Sequence, residues 1–259
     1  MVDLLVAHGA SIRASRRGGD TAQPGLEYGY HIHPPRAGIC VPGGRARLVF
    51  ASRAVLPLSN TPQLFTVPVL GGSVVPVGNG SEIESLGAVV GTRVVYHRCV
   101  RVTLPNLDVV IDQCDVASVR SDGQGRIALT ATRDINYVQG AIGEQVIIRR
   151  SQRGGITDSL VSIPVSGGVE TPMLTLSAQN EFVSGFIADR VIIQRPTGLW
   201  SLKADGTSLV QLTTEADQFA GAAGAFACFE RGQALWCVPE DGTAAPTKVT
   251  ENGMFVDGL

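Results

Sequence analysis

Charge and histidine are scarce in this chain. Charged residues make up 17% of its 259 positions, histidines number 4, and the formal net charge is −2. That balance offers no basic footprint for nucleic acid or for an anionic membrane surface, so neither is expected as a partner. No apolar run approaches the ~18 residues of a membrane span, so membrane insertion is not expected. The opening MVDLLVAHGASIRASRR places polar residues where a signal peptide needs its apolar core. G-x-S-x-G, H-E-x-x-H and P-loop patterns are absent. His97 is the only histidine beyond residue 43, which leaves a Ser-His-Asp constellation one candidate base. The five cysteines, Cys40, Cys99, Cys114, Cys228 and Cys237, form no CxxC or Cys/His spacing suited to zinc. No cofactor or metal is expected.

What the chain does have is repetition. A hydrophobic strand, an Asp-Gly or Gly-Gly pair, and a second strand usually ending in Leu-Thr recur five times. The copies are LFTVPVLGGSVVPV from Leu64, ASVRSDGQGRIALT to Thr130, LVSIPVSGGVETPMLT to Thr175, LWSLKADGTSLVQLT to Thr213 and LWCVPEDGTAAPTKVT to Thr250. Their second turn glycines are Gly72, Gly123, Gly168, Gly206 and Gly242. A second mark runs in phase at Gly87, Gly140, Gly185, Gly221 and Gly258. Two marks sharing one period of roughly 40 residues indicate one supersecondary unit copied several times.

The apolar runs within each unit are short and rich in Val and Ile (VVYH, VIIRR, VIIQR), and Gly, Asp, Pro and Ser bound them. This is strand and hairpin composition, with no helical spacing or caps. Each period therefore reads as four antiparallel strands, the arithmetic of a β-propeller blade. The fold expected is all-β, a propeller of about five four-stranded blades.

LWSLKADGTSLVQLT at 199–213 and its echo at 235–250 resemble the blade motif of TolB-like β-propellers and the related low-density-lipoprotein-receptor-like propeller repeats of bacterial proteins. The resemblance covers about residues 45–259 and is weakest at 45–80. It implies a periplasmic or extracellular setting. It implies three uses of the fold: docking of proteins, binding of carbohydrate, or gating of a prolyl-oligopeptidase-type peptidase. On this reading residues 1–43 are an irregular or poorly ordered leader and 44–259 the propeller. Its blades fall at about 44–80, 81–131, 132–176, 177–214 and 215–253, with a final strand at 254–259. That strand either closes a five-bladed ring as the innermost strand of the first blade, or opens the next blade of a longer propeller.

Candidate sites follow from the same layout. Connections at 78–92, 131–143, 176–189 and 214–224 join one blade's outer strand to the next blade's inner strand and form the expected binding rim. Its polar residues are Arg133, Asp134, Asn136, Gln179, Asn180, Glu181, Glu215, Asp217 and Gln218. Cys228 and Cys237 flank a turn at Gly232-Gln233, and Cys99 and Cys114 are symmetric about Asn106-Leu107, so each pair is a candidate cross-strand disulfide or a pair of small buried residues. Cys40 would be left over. His31 and His33 alternate as metal ligands on a strand can, but without a carboxylate at suitable spacing. Asp122, Asp205 and Asp241 are expected to shape turns rather than bind calcium. Trp200 and Trp236, at equivalent blade positions, are expected between sheets. Asn79-Gly80-Ser81 is a glycosylation sequon by pattern alone. Asp108, Asp112 and Asp115 share one hairpin and no catalytic role is assigned to them.

The function expected is a non-catalytic scaffold that binds a protein or glycan through its rim loops. The alternatives are the gating propeller of a peptidase or a propeller lyase, with the catalytic part elsewhere, or a partial reading frame.

Overall fold

The computed structural model describes residues 38–40, 47–52, 63–78, 82–103, 110–132, 134–151, 157–177, 180–215 and 217–251. These form twenty strands in five sheets, each four-stranded and antiparallel, with no helix among the described residues. The first sheet is β1 (Gly38–Cys40), β2 (Arg47–Ser52), β3 (Gln63–Pro68) and β4 (Val75–Pro76). The second is β5 (Ile83–Val90), β6 (Arg93–Thr103), β7 (Val110–Arg120) and β8 (Ile127–Ala128). The third is β9 (Ile135–Ile142), β10 (Gln145–Ser151), β11 (Thr157–Pro164) and β12 (Thr171–Ser177). The fourth is β13 (Phe182–Ile187), β14 (Arg190–Arg195), β15 (Gly198–Lys203) and β16 (Val210–Gln211). The fifth is β17 (Gln218–Ala223), β18 (Phe226–Arg231), β19 (Ala234–Pro239) and β20 (Thr247–Thr250). In every sheet sequence neighbours are spatial neighbours, and β1, β5, β9, β13 and β17 stand side by side in that order. This is the β-propeller arrangement expected from the repeats.

Four hydrophobic clusters fill the four gaps between successive sheets. Val49, Leu64, Val94 and Tyr96 join sheets one and two; Val95, Val116, Ile148 and Val161 join two and three. Ile147, Leu160, Ile193 and Leu202 join three and four; Ile192, Leu199, Ala227 and Phe229 join four and five. Successive residues of a strand face opposite sides of the sheet. Ile147 therefore packs forward while Val146 and Ile148 pack backward. Burial on both faces is why these strands read as unbroken Val/Ile runs.

Two repeated marks acquire physical roles. In the turns between third and fourth strands, Gly71, Gly123, Gly167, Gly206 and Gly242 each donate N–H to the carbonyl three residues earlier. In the Gly-Gly turns the equivalent residue is thus Gly71 or Gly167, not Gly72 or Gly168 as the spacing suggests. All five have positive φ, +82° at Gly123 and +80° at Gly206, which side chains disfavour. The preceding aspartates accept the amide two residues on: Asp122 from Gln124 (2.9 Å), Asp205 from Thr207 (2.9 Å) and Asp241 from Thr243 (3.1 Å). These bonds favour the carboxylate and lower its pKa in each case, with the Thr207 and Thr243 hydroxyls the leading cause at Asp205 and Asp241.

The Leu-Thr ending is a hydrogen-bond cap. The fourth strand is only two residues long in sheets two and four, and the threonine hydroxyl beyond it accepts a third-strand amide. Val116 N donates to Thr130 Oγ1 (2.8 Å) and Leu199 N to Thr213 Oγ1 (3.0 Å). In the third sheet the ladder continues through Thr175 to Ser177, and Thr175 is exposed without that role. The first sheet has Gly78 in place of the threonine, and Leu64 N donates instead to Glu84 Oε2 (3.3 Å) from the next sheet.

Two expectations change. The first strand of the first sheet is Gly38–Cys40, inside the segment assigned to a leader, and it pairs with β2 in register (Gly38 with Val49). A three-residue strand without an apolar run carries too little pattern to be recognised. The connections between sheets are also shorter than expected, because β5, β9, β13 and β17 run through 78–92, 131–143, 176–189 and 214–224. The proposed closing strand, Met254–Leu259, lies outside the described residues.

The in-phase glycines of the first strands mark the closest approach between sheets. A Cβ at Gly87 would stand 2.8 Å from Val138, and at Gly140 and Gly185 it would overlap the rings of Phe186 and Phe219 in the following sheet. Gly140→Ala and Gly185→Ala should each destabilise the protein by about 1–3 kcal/mol through overpacking, read as a lower denaturation midpoint. Phe219→Ala should recover part of the loss in the Gly185→Ala background alone. Strict additivity of the two changes would exclude the contact.

Candidate functional site

The expected rim is the end of the sheets where first strands begin and second strands end. There the second strands place an arginine at the same position in four successive sheets, five residues after their first residue: Arg98, Arg150, Arg195 and Arg231. These arginines engage four of the polar residues expected to meet a ligand: Asn136, Glu181, Glu215 and Asp217. Arg231 grips Asp217 through two bonds, Nε to Oδ1 (2.9 Å) and Nη2 to Oδ2 (2.7 Å), and lies 3.4 Å from Glu215. Arg195 pairs with Glu181 (3.1 Å), whose other oxygen accepts the Ser177 amide (2.7 Å). Arg150 donates to Asn136 Oδ1 (3.0 Å) and clamps Glu170 with two bonds of 2.8 and 2.6 Å. Arg98 stands 3.9 Å from both Glu82 and Asp115.

Asn136 is fully buried and reaches back to the preceding sheet, its Nδ2 donating to the Cys114 carbonyl (3.0 Å) and to Thr132 Oγ1 (2.9 Å). Asp134 lies beside it, half-buried, and Asp115 accepts from the Thr130 hydroxyl and the Thr132 amide (3.1 Å each). Such bonds hold sheets together. Asn136, Glu181 and Asp217 are therefore structural ties, and Asn180, Glu215 and Gln218 are the exposed polar residues of the expected set. Arg133, Gln179, Asp108, His31, His33 and the sequon at 79–81 lie outside the described residues, as does the side chain of Asp112.

Exposed aromatic rings stand at this end instead. Tyr137 and Phe182 occupy equivalent places near the start of adjacent first strands and are 39% and 50% exposed. Tyr137 meets the His97 ring edge-on, with centroids 6.4 Å apart. The tryptophans face the sheet interfaces: Trp200 and Trp236 pack against the clusters beside them, with Arg195 4.9 Å over one ring and Arg231 5.4 Å over the other. Two disulfides join second strands to third strands. Cys99 and Cys114 are bonded between β6 and β7, and Cys228 and Cys237 between β18 and β19.

His97 is a link between sheets. Its Nε2 accepts the Val138 amide of the next sheet (2.8 Å), and Nδ1 faces Ser85 Oγ at 3.1 Å. A nitrogen that accepts cannot hold a proton, so the ring is neutral with its proton on Nδ1. Burial lowers its pKa to about 4. Among the described residues no three His, Cys, Asp or Glu side chains converge as metal ligands.

No protein-family model and no curated protein matches this chain. Solved structures do. A prolyl endopeptidase is similar over 84% of this chain and 35% of its own, with 17% identity and a TM-score of 0.55. An oligogalacturonate lyase, solved in complex with manganese, is similar over 79% of this chain and 62% of its own, with 9% identity and a TM-score of 0.52. TolB from Acinetobacter baumannii matches 80% of this chain and 52% of its own at 12% identity, with a TM-score of 0.36. This chain thus spans less than two thirds of each of these proteins. At such identities the likeness concerns the fold alone, and the fold, with its TolB-like blade phrase, is a β-propeller.

The His97 link has a pH signature. Its pKa is lower folded than unfolded (~6.5), so its contribution is complete above pH 6.5 and is lost as pH falls towards 4. Stability from denaturant titrations should decline over that window by up to about 3 kcal/mol more than in His97→Gln. Parallel pH profiles for the two proteins would remove His97 from this role.

Proposed function

We propose that this chain is a non-catalytic docking module, a propeller that receives a protein or a glycan at the end carrying Tyr137 and Phe182. The observation behind the reading is that pair of exposed rings, repeated at one position of adjacent first strands on a rigid scaffold. Large aromatic surface left in water is characteristic of recognition surfaces, where it stacks on sugar rings or receives apolar side chains. Asn180 and Gln218, exposed beside the pair, supply the directional hydrogen bonds such sites need. The rim carboxylates support the same reading, because arginines hold them as ties rather than leaving them as acid–base groups. The paired cysteines favour an oxidising compartment such as the periplasm or the extracellular space.

A second reading has one observation in its favour: 84% of this chain matches within 35% of a prolyl endopeptidase. A gating propeller with its hydrolase in another part of the protein fits that proportion. The lyase reading gains nothing from His97, which is committed to the sheet interface.

The test is binding of purified protein to a glycan panel and to a displayed random-peptide library. The comparison is with Tyr137→Ser/Phe182→Ser and with Leu70→Ser, a control at the opposite end of the sheets. The double variant should weaken any selected ligand at least tenfold (about 1.4 kcal/mol), and the control should not. Saturable ligands indifferent to both rings, or none from either library, would sink the docking reading.

A further inference from the structure

One buried hydroxyl lacks the partner that its counterparts have. In three sheets the first residue of the second strand is an arginine that reaches across to a hydroxyl on the third strand. Arg47 donates to Thr66 Oγ1 (3.3 and 3.2 Å), Arg93 to Ser118 Oγ (3.0 Å) and Arg190 to Ser201 Oγ (2.5 Å). The other arm of the guanidinium holds the following turn, Arg93 Nη2 on the Gly125 carbonyl and Arg190 Nη2 on the Ser208 carbonyl (2.6 Å each). The hydroxyl passes the bond to the next sheet: Thr66 Oγ1 donates to the Ser121 carbonyl (2.7 Å) and Ser118 Oγ to the Val165 carbonyl (2.6 Å).

The third sheet keeps only half of this arrangement. The hydroxyl is present as Ser162, 2% exposed, but Gln145 replaces the arginine. Among the described residues no hydrogen bond reaches either side chain, and an opening of ≈ 350 Å³ lies where the sister arginines put their guanidinium groups. Ser162 and Gln145 line it, as do Val169, equivalent to Gly125 and Ser208, and Ala204, equivalent to Ser121 and Val165. Asp189 and Asp205 of the fourth sheet also line it, and Lys203 is the one cation in the lining. In the fifth sheet both members are exchanged together, for Phe226 and Cys237, so no hydroxyl is stranded there.

We propose that this opening is a receptor for an arginine side chain of a partner protein, whose guanidinium occupies the place that Arg47, Arg93 and Arg190 fill in the sister sheets. The incoming Nε–H would donate to Ser162 Oγ, its forked N–H groups would meet the turn at Val169, and the carboxylates of Asp189 and Asp205 would offset its charge. The planar fork suits these acceptors, whereas a lysine ammonium would not span them. The opening is at the end of the sheets opposite Tyr137 and Phe182, so the proposal stands independently of the docking surface there.

The test uses ¹⁵N-labelled full-length chain titrated with N-acetylarginine amide, with N-acetyllysine amide as comparison. Arginine amide should give saturable shifts at Gln145, Ser162 and Ala204, with a dissociation constant on the order of 1 mM for a ligand of this size. Lysine amide should bind several-fold more weakly. Gln145→Arg should abolish the shifts by filling the opening from within, and should raise the melting midpoint by about 2–4 °C. Ser162→Ala, which preserves shape and removes the acceptor, should weaken binding about fivefold. Equal affinity for the two amides, no saturable shift at these residues, or undiminished binding by both variants would each overturn the proposal. If Gln145→Arg fails to fold, the Ser162→Ala titration decides alone.

Discussion

Hydrophobic contact between the broad faces of successive sheets is the interaction on which the rest of this protein depends. Four short antiparallel strands cannot bury two faces by themselves, so no single repeat is stable without a neighbour. The second strands show the consequence most clearly. Tyr96, Ile148, Ile193 and Phe229 face the preceding sheet, while Val49, Val95, Ile147 and Ile192 face the following one, and all eight are fully buried members of the clusters that fill the four interfaces. Where first strands converge there is least room, which is why glycine recurs there and the next sheet's Val138, Phe186 or Phe219 occupies the vacated space. Towards the other strands the gaps take larger groups, including Trp200 and Trp236 beneath their arginines.

Once sheets stack, every polar group between them needs a partner, since an unmet donor in that setting costs more than a made bond contributes. The repeats meet one requirement with different residues. The amide at the start of the third-strand core takes a threonine hydroxyl in sheets two and four and the Glu84 carboxylate in sheet one. Gly78 makes that exchange possible, because any Cβ there would collide with the Glu84 carboxylate. The weakest copy of the repeat therefore has a compensated loss: the Leu-Thr ending is missing, and an acid from the next sheet supplies the acceptor. His97 meets a similar demand one sheet on, by accepting an amide of β9.

Much of this was legible in the residues themselves. The repeat period, the four strands of each unit, the Asp-Gly turns and the facing cysteines all follow from local rules of two-residue alternation and positive-φ glycine. Gly38–Cys40 was not legible, because three residues contain no period. The partners of the rim residues were not legible for a different reason. Polar residues between strands look available to a ligand until their partners are known, and those partners lie across a hairpin. The partner could have been found: Asn136 and Arg150, and Asp217 and Arg231, are separated by the same 14 residues, spanning a first and a second strand. An arginine recurring in phase with the glycines is a mark of the same kind, and it assigns these residues to holding the fold.

Comparing the five copies position by position separates residues that hold the fold from residues that serve something else. A position constant across sheets, such as the arginine paired with the first strand, answers to stacking. A position altered together with its partner, such as Gly78 with Glu84 or Phe226 with Cys237, answers to the same demand by another route. In the fifth sheet Cys228 and Cys237 occupy the places of Ile192 and Ser201, so the face that each earlier sheet offers to its successor is locked by a covalent bond within the sheet. Tyr137 and Phe182 differ from both kinds, since their rings remain half in water while other large side chains near them are covered. Gln145 is altered while Ser162 stays as its sisters are, so that a buried hydroxyl keeps its place without the donor it was matched to. Such uncompensated departures lower the stability of a fold that its own repeats show how to satisfy, and under the two proposals made above a demand from outside the fold is the physical reason for them to persist.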